Sequence, residues 1–315
     1  MKSLLYFIKS SQLEVCDIPT PVLPPKRDFL VIKTSKTLLS PGTDRMIMEF
    51  GNSNWIQRAR QQPNKVKQVL EKAKLDGPLA AYEAVINKMD EPINLGYSNV
   101  GEVIAVGENV KDFKIGDRVV SNGPHAELIT VSKRLCAKIP DQVSDDCAVF
   151  TILGAIGLQG TRLIKPTFGE TFLVSGLGLI GLLTSQILIN SGCNVLGSDP
   201  DPKKCKLAKL AGVKIIKFTQ DINEMSRLIY NETNGIGVDG TLICTATKNN
   251  HPLEIASKAC RKKGRIVLIG TSGMNIDRNL FYEKELSFQV SCSYGPGRYD
   301  DFYEIQGNDY PISYV

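Results

Sequence analysis

The sequence predicts an α/β protein in two parts: a β-rich first domain and, after it, a doubly wound parallel sheet. Three observations carry that prediction. Short β-type runs broken by prolines fill both ends of residues 1–150, with a helical insert over about residues 53–90 between them. Over residues 151–291 a long apolar helix gives way to alternating strand-length and helix-length runs, the pattern of a parallel sheet with helices on both faces. Where the first strand of that alternation meets its first helix lie three glycines, Gly176, Gly178 and Gly181.

At 315 residues the chain is long enough for two cores. It is 42% hydrophobic and 23% charged, with a net charge of +5, a mild excess that does not argue for nucleic acid. The eight cysteines are scattered with no C-x-x-C pair, which suggests free thiols in a reducing cytoplasm. The apolar run at 4–8 is too short for a signal-peptide core, and no stretch reaches membrane-spanning length, so no membrane partner is expected.

Taken in order, residues 4–8, 13–18 and 29–34 read as strands, separated by Pro19, Pro21, Pro24 and Pro25. Residues 38–44 read as a polar loop. In the insert, Val66, Val69, Leu70 and Ala73 make one apolar helical face, and Tyr82, Val85, Ile86 and Met89 a second. Arg58, Arg60, Lys65, Lys67, Lys72 and Lys74 give it a basic character, either a solvated face or a rim for an anionic substrate. Residues 95–104, 106–110, 114–120 and 125–131 return to β structure. Residues 148–162 read as one helix bridging the two domains.

In the second part, residues 172–174 form a buried-type strand and residues 179–190 a helix. The glycines between them have the spacing G-x-G-x-x-G. In that context Gly176 permits a tight turn, Gly178 lets backbone approach a pyrophosphate, and Gly181 lets helix pack close to strand. The helix N-terminus adds N–H groups and partial positive charge. A second strand at 194–198 ends at Asp199, where an acid about 20 residues past the glycines accepts hydrogen bonds from a ribose. The alternative is that Asp199 caps the next helix, although Asp201, just before Pro202, is better placed for that. These residues predict NAD, with NADP disfavoured by the charge of Asp199 and that preference softened by Lys203 and Lys204. Helices at 202–211, 222–232 and 252–260 alternate with strands at 214–218, 240–244, 265–269 and 286–291. Ligand lies beyond the carboxyl ends of such strands. The expected cofactor residues are therefore Gly176, Leu177, Gly178, Leu179, Ile180, Gly181, Asp199, Thr245, Ala246 and Gly270.

The order of these parts resembles the medium-chain dehydrogenase/reductase superfamily. The resemblance is carried by residues 96–110, 114–120, Ala126-Glu127, 176–181, Asp199 and Lys284-Glu285. It implies a GroES-like first domain, a Rossmann second domain and an active site in the cleft between them. The zinc enzymes of the superfamily place ligands where this chain has Pro41, Tyr97-Ser98 and Ala155, and the cysteine-rich loop of their structural zinc is absent, so no metal is expected. The chain is more closely similar to a zinc-less group of bacterial polysaccharide and sugar gene clusters. Its marks are the stretches 40–45, 60–63, 96–101, 121–127 and 291–300. Many such proteins carry a second oxidoreductase domain, of the glucose–fructose oxidoreductase and inositol dehydrogenase type.

The resemblance implies a zinc-independent, NAD(H)-dependent oxidoreductase acting on a polar, sugar-like alcohol or carbonyl. Tyr97 is then the leading hydrogen-bond donor to the substrate oxygen, because it stands where a zinc enzyme has a histidine ligand; the alternative is that it only packs. Thr43, at a proton-relay place, is the second catalytic candidate. Asn99, Asn122 and His125 are candidate substrate contacts. A different class of function is a non-catalytic nucleotide-binding scaffold or sensor, supported by the missing zinc ligands. A homodimer through the strand at 286–290 is expected from the superfamily. Residues 292–315 are expected to be a truncated return to the first domain. The apolar end at 312–315 suggests an uncovered apolar patch there, left either by a shortened gene or by missing C-terminal helices.

Overall fold

The structure is a computed structural model that describes residues 1–42, 44, 45, 48, 66, 67 and 91–308. Thr43, the insert apart from the helical pair Val66 and Lys67, and residues 312–315 therefore lie outside the described residues. The chain forms two compact units, Met1–Thr151 and Ile152–Val315.

The first unit holds two antiparallel sheets. One has the order β2-β1-β4, built from β1 (Lys2–Phe7), β2 (Gln12–Asp17) and β4 (Ile93–Asn94). The other has the order β7-β3-β5-β6-β8. It is built from β3 (Phe29–Thr37), β5 (Asn99–Val106), β6 (Arg118–Ser121), β7 (Leu128–Ser132) and β8 (Cys136–Lys138). Leu30, Ile32, Val103, Val119 and Ile129 fill the core of the larger sheet, and Tyr6, Ile8 and Leu95 pack beside the smaller one. The two sheets are knitted together at His125. Its N–H donates to the Leu95 carbonyl at 2.8 Å, and its carbonyl accepts the Leu4 N–H at 2.9 Å.

The 38–44 stretch is not all loop. Pro41 and Gly42, then Asp44 and Arg45, are helical. The Ser40 carbonyl accepts the Asp44 N–H at 2.9 Å, and the Asp44 carboxylate accepts the Ser40 N–H at 3.0 Å. Proline suits this first turn because it has no N–H to leave unpaired. Residues 148–162 are likewise two helices, α1 (Asp145–Ala148) and α2 (Thr151–Ile164), because Ser144 caps a separate short turn.

The second unit is a six-stranded, wholly parallel sheet of order β11-β10-β9-β12-β13-β14. Its strands are β9 (Thr171–Ser175), β10 (Asn194–Ser198), β11 (Lys214–Ile215), β12 (Val238–Ile243), β13 (Cys260–Leu268) and β14 (Ser287–Val290). The chain winds outward one way from β9 and then the other way from β12, so the switch point lies between those two central strands. Side chains on β9 alternate as a strand covered on both faces must. Phe172 and Val174 enter one apolar cluster and Leu173 the other. The helices are α3 (Leu179–Asn190), α4 (Pro202–Leu210), α5 (Ile222–Glu232), α6 (His251–Ala259), α7 (Arg278–Lys284) and α8 (Asp301–Glu304). The strand expected at 214–218 is only two residues long, since it pairs on one side at the sheet edge. The strand expected at 265–269 begins at Cys260, directly after α6. α7 has no counterpart among the expected elements; Asp277 caps it, accepting N–H groups from Asn279 and Leu280. Residues 292–308 fall within the second compact unit.

Candidate functional site

The glycine segment joins β9 to α3 at the switch point. Gly176 has φ +90°, and its N–H is held by the Ser198 carbonyl at 2.8 Å. A Cβ on Gly181 would overlap the Gly176 carbonyl oxygen, whereas one on Gly178 would meet nothing within 4 Å. The segment thus closes tightly on itself at Gly176 and Gly181 and leaves an open backbone face at Gly178. That is the cradle a pyrophosphate needs. Leu179 and Ile180 begin α3 at that face.

Asp199, 7% exposed, follows β10. Its carboxylate accepts the Leu177 N–H at 2.8 Å and the Asp201 N–H at 2.9 Å, with Lys204 Nζ at 3.7 Å. Asp201 is the residue that caps α4, accepting the Lys203 N–H at 2.8 Å. Asp199 therefore faces the glycine segment and does not serve as the helix cap. Beyond β12 and β13, Thr245 and Ala246 run alongside Gly270 and Thr271: the Thr271 N–H reaches the Thr245 carbonyl at 2.8 Å, and Ala246 bridges Thr271. The methyl of Thr245 packs on Gly176, and its hydroxyl is buried with no partner. The chain thus gathers the glycines, Asp199, Thr245 and Gly270 at the carboxyl ends of adjacent strands. These residues fit a dinucleotide, and a bound nicotinamide cofactor would supply hydride transfer.

The first unit assembles a polar cluster of its own. Gly96 has φ +93°, and a Cβ there would fall 2.6–2.7 Å from three carbons of the His125 ring, so the imidazole lies flat on this glycine. Tyr97 follows, and its hydroxyl donates to Ser40 Oγ at 2.8 Å. Ser40 is joined to Asp44 through its N–H. Burial holds the His125 imidazole below its ordinary range, opposed by the Asp44 carboxylate. Asn99 is fully buried inside the larger sheet. Its amide donates to Thr34 Oγ1 at 2.8 Å, and Thr34 donates to the Ala126 carbonyl at 2.5 Å. The Asn99 amide nitrogen is thus committed to the sheet interior, while its Oδ1 is buried with no partner. Asn122 is half-buried beside β6, with its N–H toward the Leu135 carbonyl at 3.4 Å. Ser40 and Asp44 had no role assigned from sequence. The signal was there in Ser-Pro-x-x-Asp, a capped helix start next to a candidate site.

Among the described residues no three His, Cys, Asp or Glu side chains converge. His125 and His251 belong to different units. Pro41 and Tyr97 stand at two of the places where zinc ligands would be, and neither is an ordinary zinc ligand.

Two family models match the chain: "Alcohol dehydrogenase GroES-like domain" over residues 75–176 and "Zinc-binding dehydrogenase" over residues 180–306. L-threonine 3-dehydrogenase of Cronobacter sakazakii is 27% identical over 250 residues, covering 68% of this chain and 71% of that one. In structure the chain is similar to galactitol-1-phosphate dehydrogenase from Escherichia coli. The TM-score is 0.71 at 18% identity, over 93% of this chain and 83% of the other. It is also similar to a mycobacterial protein solved with NADPH, at TM-score 0.69 and 21% identity, over 93% and 82%.

Proposed function

This chain belongs to the medium-chain dehydrogenase/reductase superfamily and is an NAD(P)-dependent dehydrogenase, and we propose that it moves a hydride between NAD(H) and a polar, sugar-like alcohol or carbonyl without zinc. The observation that carries the cofactor half is Asp199, a buried carboxylate tied to the glycine segment where a ribose would sit. A 2′-phosphate would meet that charge. Lys204, 3.7 Å away, favours the second reading, NADP, as does the similarity to a protein solved with NADPH.

The polar cluster of the first unit supports a hydroxyl-bearing substrate. Threonine and galactitol 1-phosphate, named for two of the similar proteins, are both of that kind. Tyr97 is the donor we assign to charge developing on the substrate oxygen, its single O–H turning to that oxygen from Ser40 Oγ, to which it donates in the free protein. Thr43 is the second candidate for that role. The eight unbridged cysteines support a reducing compartment, the cytoplasm.

The test is turnover by purified chain of L-threonine, galactitol 1-phosphate and unphosphorylated polyols with NAD+ or NADP+, with zinc measured in the same sample. We expect faster reduction of NAD+ than NADP+ and zinc well below one per chain. Tyr97→Phe should lower the rate roughly 10²–10³-fold. NADH binding without turnover of any alcohol would instead support a nucleotide-binding scaffold, and one tightly held zinc per chain would end the zinc-free reading.

A further inference from the structure

The buried polar atoms of the first unit that have no hydrogen-bond partner include Asp44 Oδ1 and both ring nitrogens of His125. Each of the two residues is 8% exposed. A closed path of contacts links them. The His125 ring lies on Gly96, Gly96 is bonded to Tyr97, and the Tyr97 hydroxyl meets Ser40 Oγ at 2.8 Å. The Ser40 N–H meets the Asp44 carboxylate at 3.0 Å, and that carboxylate acts electrostatically on His125. The His125 backbone is also fixed from two sides, by the Leu95 carbonyl and the Leu4 N–H.

Leaving such groups buried and unpaired is unfavourable, because their hydration is lost with nothing in exchange. A fold that holds several together keeps an arrangement that a ligand atom can relieve. The carboxylate can only accept, whereas a neutral imidazole offers one donor and one acceptor. A group that both donates and accepts completes the set, and an alcohol hydroxyl does so with a single atom.

We infer that His125 and Asp44 form the proton-accepting pair for a substrate hydroxyl: a His125 ring nitrogen takes the proton, and Asp44 offsets the charge that results. The inference rests on the alcohol-oxidoreductase reading above. In oxidation the O–H bond breaks and its proton goes to the imidazole. The C–H electron pair leaves with its hydrogen as hydride to an oxidised nicotinamide, and the carbon–oxygen bond becomes double. Reduction runs the same proton back. Burial favours the neutral imidazole, which has a ring nitrogen able to accept a proton, and the Asp44 carboxylate opposes the loss of basicity that burial brings. His125 is the catalytic residue here and Asp44 a positioning residue, while Tyr97 keeps its separate role as donor to the substrate oxygen.

The chain has only two histidines, so its imidazole nitrogens can be followed one ring at a time in ¹⁵N-labelled protein. His251, whose Nε2 lies 3.0 Å from the Gln220 carbonyl, serves as the reference. The full chain is titrated with glycerol, 2,3-butanediol and D-sorbitol, alone and with NADH, which permits no oxidation. At least one hydroxyl probe should move the His125 ring signals and leave His251 in place, and Asp44→Asn should shrink that movement. In turnover His125→Gln should lower kcat by roughly 10²-fold or more with the KM for NAD+ unchanged. If His125→Gln does not fold, the wild-type and Asp44→Asn spectra decide. Static His125 signals with every probe would mean an internal water only, and the inference falls; it falls equally if folded His125→Gln keeps wild-type kcat. Failure of NADH to bind sinks the cofactor reading alone, and the titration without cofactor still decides the pair.

Discussion

At Asp199 one carboxylate meets two demands. One oxygen accepts from Leu177 in the glycine segment, and the other accepts from Asp201 at the entry to α4. The residue thus ties the glycine segment to the entry of α4. Serine keeps a hydroxyl but loses the charge. Charge-assisted hydrogen bonds of this kind contribute about 1.5–3 kcal/mol, so Asp199→Ser should weaken NADH binding about ten- to hundredfold. It should also bring NADPH affinity closer to that of NADH. Fluorescence titration of both cofactors on wild type and variant reads this directly. Unchanged affinities would take Asp199 out of the cofactor site.

At the scale of elements, Lys284 has a role that sequence alone hides. It ends α7, and its ammonium donates to the carbonyls of Lys258 at 2.6 Å, Cys260 at 2.8 Å and Ser257 at 3.2 Å. These are carbonyls at the C-terminal end of α6, where the helix dipole is negative and intrahelical donors run out. The same ammonium reaches the Tyr230 hydroxyl at 3.3 Å and so ties α5 to α6 and α7. Lys284→Met keeps the aliphatic stem but removes every donor. It should lower the unfolding free energy by about 2 kcal/mol, read as an earlier urea midpoint with unchanged slope. A midpoint equal to wild type would mean that water replaces the ammonium without loss.

At the scale of the whole molecule, acid should act on the first unit through Asp145. The Ser35 hydroxyl at 2.6 Å and the Arg118 guanidinium at 2.6 Å hold its carboxyl below the usual carboxylate range. A lowered folded value means stability that is present above the unfolded value of about 3.9 and lost as pH falls through the folded one. Asp145→Asn should therefore cost about 1 kcal/mol at pH 7, after allowance for partial exposure. It should cost almost nothing near pH 2. Thermal melts of both proteins at the two pH values check the sign, and an equal loss at both would assign the effect to packing.

The second unit was largely legible in the sequence because its rules are local. β10, α3 and α5 run over the residues the sequence predicts, since strand and helix periods, glycines and caps all act within a few residues. The cofactor cradle is built from such segments, and the parallel sheet brings their ends together by topology alone. Where those rules were weak the reading slipped. The edge strand β11 shortened for want of a second partner, and α7 has too little periodicity to stand out. The first unit's polar cluster followed another logic. Ser40, Asp44, Gly96 and His125 come from three separate stretches of chain, and nothing in their spacing announces that they meet. Gly96 read as a strand entry, yet its positive φ and the ring against it show that it makes room for His125. Asn99 is a further case: the antiparallel pairing of β3 and β5 brings its amide nitrogen to Thr34, a contact that no local spacing shows. Local pattern was enough to specify the parallel sheet and the glycine segment between β9 and α3. Which polar side chains of the first unit are buried without partners follows from the fold, because burial is set by contacts between residues distant in the chain.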